Sequence, residues 1–399
     1  MKITQVDVIV AKCKTNVTIS PWKPVVCRVY TDEGIYGDGE AAVAYETGSL
    51  AAFAMIKELA PMLIGQDPLN TEAIWDMMYR NTFWCQNGGP MTFAGMSALD
   101  IALWDIKGKY FNAPLYQLLG GKVRDDLRSY ASQLQLTGWK KYTDNWEILQ
   151  DPQEYYDATK LAIADGYDCV KIDFLCGNYK GVPFTKENRT RLLPSAELHF
   201  VEERVAAARE AAGPDVDIIM ENHCWLDAQS SVQMGKLAEK YNIFCFEEGP
   251  TPSPKMVKYV SDRINVPQAS GERIYSRWQY APYFEDGSLQ MIQPDAGNCG
   301  GITEFKKICD MAHAYDISVQ AHVCATPLSA DVAMHLESCI PNFQIHEHHI
   351  CHESNRNLEM SIYNNLPVNG RCKPSDRPGI GNEIHPRLWK ENLGFATVK

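Results

Sequence analysis

Apolar and polar positions alternate along the first 45 residues, the period of β-strands, and turns are expected at Asp32-Glu33-Gly34 and Gly37-Asp38-Gly39. Over residues 47–120 the apolar spacing changes to three and four, the period of helices. The stretch SALDIALWDIKGKYFNAPLYQLLG at 97–120 is strongly periodic. From about Arg128 to 350, short apolar runs alternate with helical stretches. Helix starts are expected at Ser195, Asp227 and Thr303, and Gly213-Pro214 closes a helix. The apolar runs VKID, IIMENH, IFCFEE, PQASGE, QMIQPD, VQAH and FQIHE each end at or near an acid or a histidine.

Those terminal residues recur at a steady interval. Glu221, Glu247, Glu272, Asp295, His322 and Glu347 are separated by 26, 25, 23, 27 and 25 residues, and Asp173 precedes Glu221 by 48. A period of about 25 residues suits one strand plus one helix, the unit of a parallel barrel of the TIM type. The fold class expected is therefore α/β, a barrel preceded by an α+β domain. Carboxyl ends of barrel strands meet at one mouth. That rule gathers Lys171, Asp173, Glu221, His223, Glu247, Glu272, Asp295, His322 and Glu347 around one cavity. So many acids in one place are costly without a cation, which points to a metal enzyme. The domains expected are residues 1–125, a barrel over 126–360, and a proline- and glycine-rich segment over 361–399 that packs back on the first domain. The polar stretch Gly177–Pro194 is too long for an ordinary strand–helix loop and reads as an insertion at the mouth.

Composition narrows the class. With 399 residues, 45% hydrophobic and 22% charged, the chain is ordinary for a globular protein. A net charge of −12 argues against nucleic-acid binding and offers no long-range pull on an anionic substrate. The 13 cysteines are scattered and form no C-x-x-C, as in a reducing cytoplasm. Asn16-Val-Thr and Asn188-Arg-Thr match the glycosylation tripeptide, as chance allows. The opening MKITQVDVIVAKCKT lacks a signal-peptide core, and no run is apolar enough to span a membrane.

Strand geometry assigns roles. Residues two apart share a face, so Lys171 pairs with Asp173 and Glu221 with His223. Of the neighbours Glu247 and Glu248, the interval favours Glu247 as inward. Glu221, Glu247 and Glu272 make an all-oxygen set that suits Mg²⁺ better than Zn²⁺. Asp295 beside His322 would fix the imidazole tautomer and raise its basicity, making a general base. Glu347 could orient that pair, Lys171 could face an oxyanion, and His223 could serve as an acid. The run His346-Glu-His-His349 with His352 has the composition of a zinc site. However, zinc hydrolase barrels carry such histidines on the first strand, not the last.

Several stretches carry a resemblance. ALDIALWDIKGK at 98–109, YQLLGG at 116–121, QPDAGNCGGITEFKKI at 293–308, QAHVC at 320–324, PGIG at 378–381 and the three glutamates resemble the enolase superfamily, in its mandelate racemase subgroup. The resemblance covers essentially the whole chain. It implies an α+β capping domain on a (β/α)7β barrel, Mg²⁺ on Glu221, Glu247 and Glu272, the Asp295–His322 dyad with Glu347 after it, and a homo-oligomer. Two departures stand out. The subgroup's Lys-x-Lys is here Lys171-Ile172-Asp173, which removes a second base and counts against racemisation. The first metal ligand is Glu221 where aspartate is usual. The histidine two residues after Glu221 and the stretch GERIYSRW at 271–278 are similar to acid-sugar dehydratases of the galactonate type. That implies loss of water from a sugar acid, with racemisation, epimerisation, cycloisomerisation or a catalytically silent sugar-acid binder as alternatives. Specificity is expected from Thr15–Lys23, Trp84–Pro90 and the 177–194 insertion. The substrate contacts expected are Asp173, Trp22, Trp84, Gln86, Asn87, Trp225 and Arg277.

Overall fold

The computed structural model describes residues 1–13, 22–45, 47–137, 147–176, 191–349, 353 and 355–399. Most of Thr15–Lys23 and of the 177–194 insertion lies outside the described residues, as do Asn16, Asn188 and His352.

Three strands open the chain, β1 (Ile3–Ala11), β2 (Val25–Thr31) and β3 (Tyr36–Ala41), and they pair antiparallel. Asp32–Gly34 forms the β2–β3 turn, with the Gly34 amide donating to Thr31 O. Gly37 and Gly39 do not form a second turn: both lie inside β3. Their role is close approach. A Cβ on Gly37 would sit 2.1 Å from Ala102 O, and one on Gly39 1.9 Å from Ala98 O. The helix Pro90–Tyr110 therefore rests directly on the β3 backbone. That helix is buried on nearly every side, because it is gripped by the sheet, by the helix Ser49–Leu59 and by the barrel helix Gly301–His313. At the far end of the chain β13 (Asn392–Val398) adds to the edge of β1.

The barrel strands are β4 (Leu127–Ser132), β5 (Cys169–Asp173), β6 (Asp217–Glu221), β7 (Cys245–Glu247), β8 (Gln268–Ser270), β9 (Met291–Ile292), β10 (Ser318–Val319) and β11 (His346–His349). They run parallel in the order β10-β9-β8-β7-β6-β5-β4-β11, with a short β12 (Arg371–Cys372) antiparallel to β4. A bridge between Val319 and Phe343 brings the two ends of the curled sheet together. A helix separates each strand from the next: Pro152–Ala164, Ser195–Ala212, Ala228–Lys240, Pro254–Ser261, Ser276–Asp286, Gly301–His313 and Pro327–Cys339.

Local chemistry sets these helix ends. Asp227 caps its helix by accepting from the amides of Gln229 and Ser230. The helix expected to start at Thr303 begins at Gly301, because Gly300 takes a left-handed φ of 118° that most side chains resist. The Thr303 hydroxyl instead donates to Asp100 of the first domain, 2.6 Å away, as does its amide. Among the described residues no helix is long and apolar enough to cross a membrane.

Candidate active site

Tyr130, Cys169, Ile219, Cys245, Ala269, Met291 and Ile345 form an apolar layer inside the barrel. Two residues further along their strands, the same inward face becomes charged. Lys171 follows Cys169, Glu221 follows Ile219, Glu247 follows Cys245 and Glu347 follows Ile345. Strand register sets Asp173 beside Glu221, and Glu221 beside Glu247.

Lys171 is the hub of this row. Its Nζ lies 2.6 Å from Glu347 Oε1, 2.7 Å from Glu247 Oε1 and 3.3 Å from Glu221 Oε2, all of them buried. Burial alone would lower the lysine pKa, but Glu247 and Glu347 outweigh it and hold the ammonium charged. Among the acids the effect is divided. Burial and the charge of Glu221 push Glu247 well up. Glu221 itself is pulled down, because His223 and Lys171 overcome its burial. Glu347 is likewise brought down to about 2, against burial, chiefly by Lys171. It also accepts from Ser132 Oγ at 2.8 Å and from the Val323 amide at 2.9 Å.

Glu248 and Glu272 form a second group around Arg273, whose Nη1 pairs with both. Glu248 is raised to about 8 by burial and by Glu272. Arg273 was not among the expected site residues, and only its place directly after Glu272 signals it.

Two histidines flank these acids, and each is held through Nδ1. His322 meets Asp295 Oδ2 at 2.8 Å, and His223 meets Asp173 Oδ2 at 2.9 Å. The Nε2 of His322 then lies 3.2 Å from Glu272 Oε2. Burial disfavours the cation in each ring. Nearby acids prevail: His223 rises to about 9, mainly through Glu221 and Asp173, and His322 rises well above its usual value, Cys324, Glu272 and Asp295 contributing. The backbone supports these placements. Glu221 Oε1 accepts the amides of Asn222 and His223, and His223 and Cys224 both take left-handed φ, 49° and 55°. That tight turn folds His223 back over the strand end.

Several expected contacts sit elsewhere or do other work. Asp173 is committed through Oδ2 to His223 and through Oδ1 to the Leu175 amide. Arg277 is turned away, pairing with buried Glu304 and stacking on Trp278 and Trp75. This follows from its place in the first turn of a barrel helix. Asn87 bonds Gln279 and, through its amide, Tyr79 OH. Trp22 is buried beside Tyr45, whereas Trp84, Gln86 and Trp225 are exposed. His346 and His348 point outward from the barrel, to Glu337 and Glu353.

The donor set fits a hard cation. Seven carboxylates (Asp173, Glu221, Glu247, Glu248, Glu272, Asp295 and Glu347) meet two fixed cations, Lys171 and Arg273. Among the described residues Glu248 Oε1 is a buried acceptor with no hydrogen-bond donor, and Glu221 Oε2 has the Lys171 ammonium 3.3 Å away. The three glutamates expected to bind metal do not converge as a trio. Lys171 draws Glu221 and Glu247 to one side, and Arg273 draws Glu272 to the other. Among the described residues the trio of candidate ligands within 4.8 Å of one another is Asp295, His322 and Cys324.

The first domain reaches this site through Glu40 on β3. Its carboxyl accepts from Thr326 Oγ1 at 2.6 Å and from the Thr326 amide at 3.1 Å, at the end of the loop that carries His322. Burial, assisted by Asp295, raises Glu40 to about 8 from 4.5. A raised carboxyl adds stability that is complete below pH 4.5 and lost as pH climbs through 8. The melting temperature of the wild type relative to Glu40→Gln should therefore fall across that window and level off above it. The expected change is on the order of a few kcal/mol. A pH-independent difference would refute the buried, protonated carboxyl.

Comparison with known proteins completes the description. Residues 154–388 match the enolase C-terminal domain-like family, and residues 5–120 match the mandelate racemase / muconate lactonizing enzyme N-terminal domain. The chain is 31% identical over 368 residues to D-galactonate dehydratase of Pectobacterium atrosepticum, covering 90% of this chain and 88% of that one. A solved enolase-superfamily member from Salmonella Typhimurium is 46% identical, with TM-score 0.95 and full coverage of both chains. A proposed dehydratase from Zymomonas mobilis ZM4 is 45% identical, with TM-score 0.94, covering 100% of this chain and 99% of that one.

Proposed function

The chain belongs to the mandelate racemase / muconate lactonizing enzyme family of the enolase superfamily, and we propose that it is a Mg²⁺-dependent dehydratase of a sugar acid, converting an aldonate to a 2-keto-3-deoxy acid. One observation carries this reading: two imidazoles, each locked through Nδ1 to its own aspartate, flank one cluster of carboxylates. Elimination of water needs that pair, a base for the proton beside the substrate carboxylate and an acid for the departing hydroxyl. The similarity to D-galactonate dehydratase supports the same class.

Glu221 and Glu247, paired with Lys171, and Glu272, paired with Arg273, would hold the metal, whose charge would draw the three together beside the unpartnered oxygen of Glu248. When bound, Mg²⁺ supplies positive charge to the substrate carboxylate, where a second negative charge develops as the α-proton leaves. The protein's own residues do the rest. His322 in its neutral form takes the α-proton at Nε2, while Asp295 holds Nδ1 and stabilises the imidazolium that forms; a cation on Glu272 would offset part of the pull that raises this ring. Lys171 adds a second positive charge beneath the developing enediolate. The electron pair then moves to form the C2–C3 double bond and the C3–O bond breaks. His223, protonated with a pKa of about 9, gives its Nε2 proton to the hydroxyl, which departs as water. The enol tautomerises to the keto acid. Asp173 occupies the position where the subgroup carries a second lysine base, and here it orients the acid instead.

The test is to incubate the protein with Mg²⁺ and a panel of aldonic and aldaric acids, assaying 2-keto-3-deoxy products. Product that disappears with EDTA is expected. If no acid yields product but D₂O labels the α-carbon of one of them, the enzyme is a racemase or epimerase and the dehydratase reading fails.

A further inference from the structure

Cys324 has no part in the reaction above, yet its Sγ lies 4.0 Å from His322 Nδ1, on the side of the ring that faces Asp295. We propose that Asp295, His322 and Cys324 form a second cation site, selective for a thiophilic divalent ion such as Zn²⁺, whose occupation shuts off the base.

The three candidate donor atoms lie within 4.8 Å of one another, and Nδ1 and Oδ2 are 2.8 Å apart. A tetrahedral zinc ion with its usual bond lengths sets sulfur and nitrogen about 3.6 Å apart, and nitrogen and oxygen about 3.4 Å apart. The sulfur–nitrogen and nitrogen–oxygen pairs differ from that geometry by about 0.4 and about 0.6 Å, shifts that side-chain rotation can supply. The charges also fit, since one carboxylate, one thiolate and a neutral imidazole balance a dication. The surroundings fix the ligands. Asp295 Oδ1 is taken by the Gly297 amide, which leaves Oδ2 toward the histidine. The amides of Ala321 and Val323, on either side of His322, are held by the buried carboxylates of Glu337 and Glu347. Cys324 is partly exposed.

Softness separates this site from the glutamates. Thiolate and imidazole prefer zinc, and carboxylate oxygens prefer magnesium. A cation at the trio takes the Nδ1 lone pair, so the neutral ring carries its one proton on Nε2. That is the atom that must be free to accept the substrate proton. Binding stands on the geometry alone; the loss of turnover rests on His322 being the base.

The experiment uses the full protein saturated with Mg²⁺ and titrated with Co²⁺, whose thiolate ligation gives a near-ultraviolet charge-transfer band. Cys224 is a partly exposed thiol near Glu248 and Glu272, so Cys224→Ser serves as control. The band is expected in the wild type and in Cys224→Ser, and absent from Cys324→Ser that circular dichroism shows to be folded. No band in the wild type, or an undiminished band in Cys324→Ser, overturns the site. Zn²⁺ should then inhibit the Mg²⁺-supported reaction, with at least a tenfold higher inhibitory concentration in Cys324→Ser. If the band appears as expected and Zn²⁺ leaves turnover untouched, the shut-off is overturned and His322 is not the base, while the cation site stands.

Discussion

Replacing His322 by asparagine should lower kcat by roughly 10²–10⁴-fold, the contribution of a positioned general base. Asparagine keeps a polar group near Asp295, so the loop and the carboxylate cluster should stay in place and KM should change little. The buried Asp295 carboxylate, bonded to His322 at 2.8 Å, is the reason to choose asparagine over alanine, which would strand it. The measurement is steady-state kinetics on the first acid that the panel identifies, with α-proton exchange in D₂O followed in parallel. Both rates should collapse together, because proton removal precedes loss of water. Less than a tenfold fall in either would exclude His322 as the base. Persistence of exchange with loss of dehydration would assign it to the later proton transfer instead.

Lys171→Met is expected to act on the fold as much as on the chemistry. The ammonium stands within 3.3 Å of three buried carboxylates. Removing it leaves those charges without their partner, which costs about 3–5 kcal/mol for a broken buried pair. Protonation of Glu247, already displaced upward, would absorb part of that cost. Urea or thermal unfolding without divalent ions should show the loss. If the glutamates also hold Mg²⁺, adding it should recover more stability in the variant than in the wild type. A variant as stable as the wild type in EDTA would mean that the lysine is not the charge partner of this row.

Much of this site was legible in the chain because the barrel turns sequence period into position. Glu221, Glu247, Glu272, Asp295, His322 and Glu347 lie in or just past successive strands at near-constant spacing, and the strands bring them to one mouth. The two-residue alternation gave Lys171, Glu221, Glu247 and Glu347 one inward face. Alternation failed at strand ends, where the backbone leaves the sheet. His223 and Glu248 adopt left-handed φ, so their side chains are aimed by turns that no period describes. The glycines of β3 misled in the opposite direction. Gly37-Asp38-Gly39 has the composition of a turn, and only the helix packed against it explains why Cβ atoms are missing.

The sequence by itself determined the strand–helix repeat, the carboxylates at its strand ends and the Asp295–His322 pair, because these are spaced by the fold's own period. Only the tertiary structure decided how the charges are shared. Asp173 serves His223, Arg273 bridges Glu248 and Glu272, Glu40 reaches across from the first domain, and Cys324 lies beside the base. Each of these depends on distances of a few ångströms between side chains from separate elements. Sequence spacing sets which face a residue occupies, whereas such distances follow from the turns and packing that aim it.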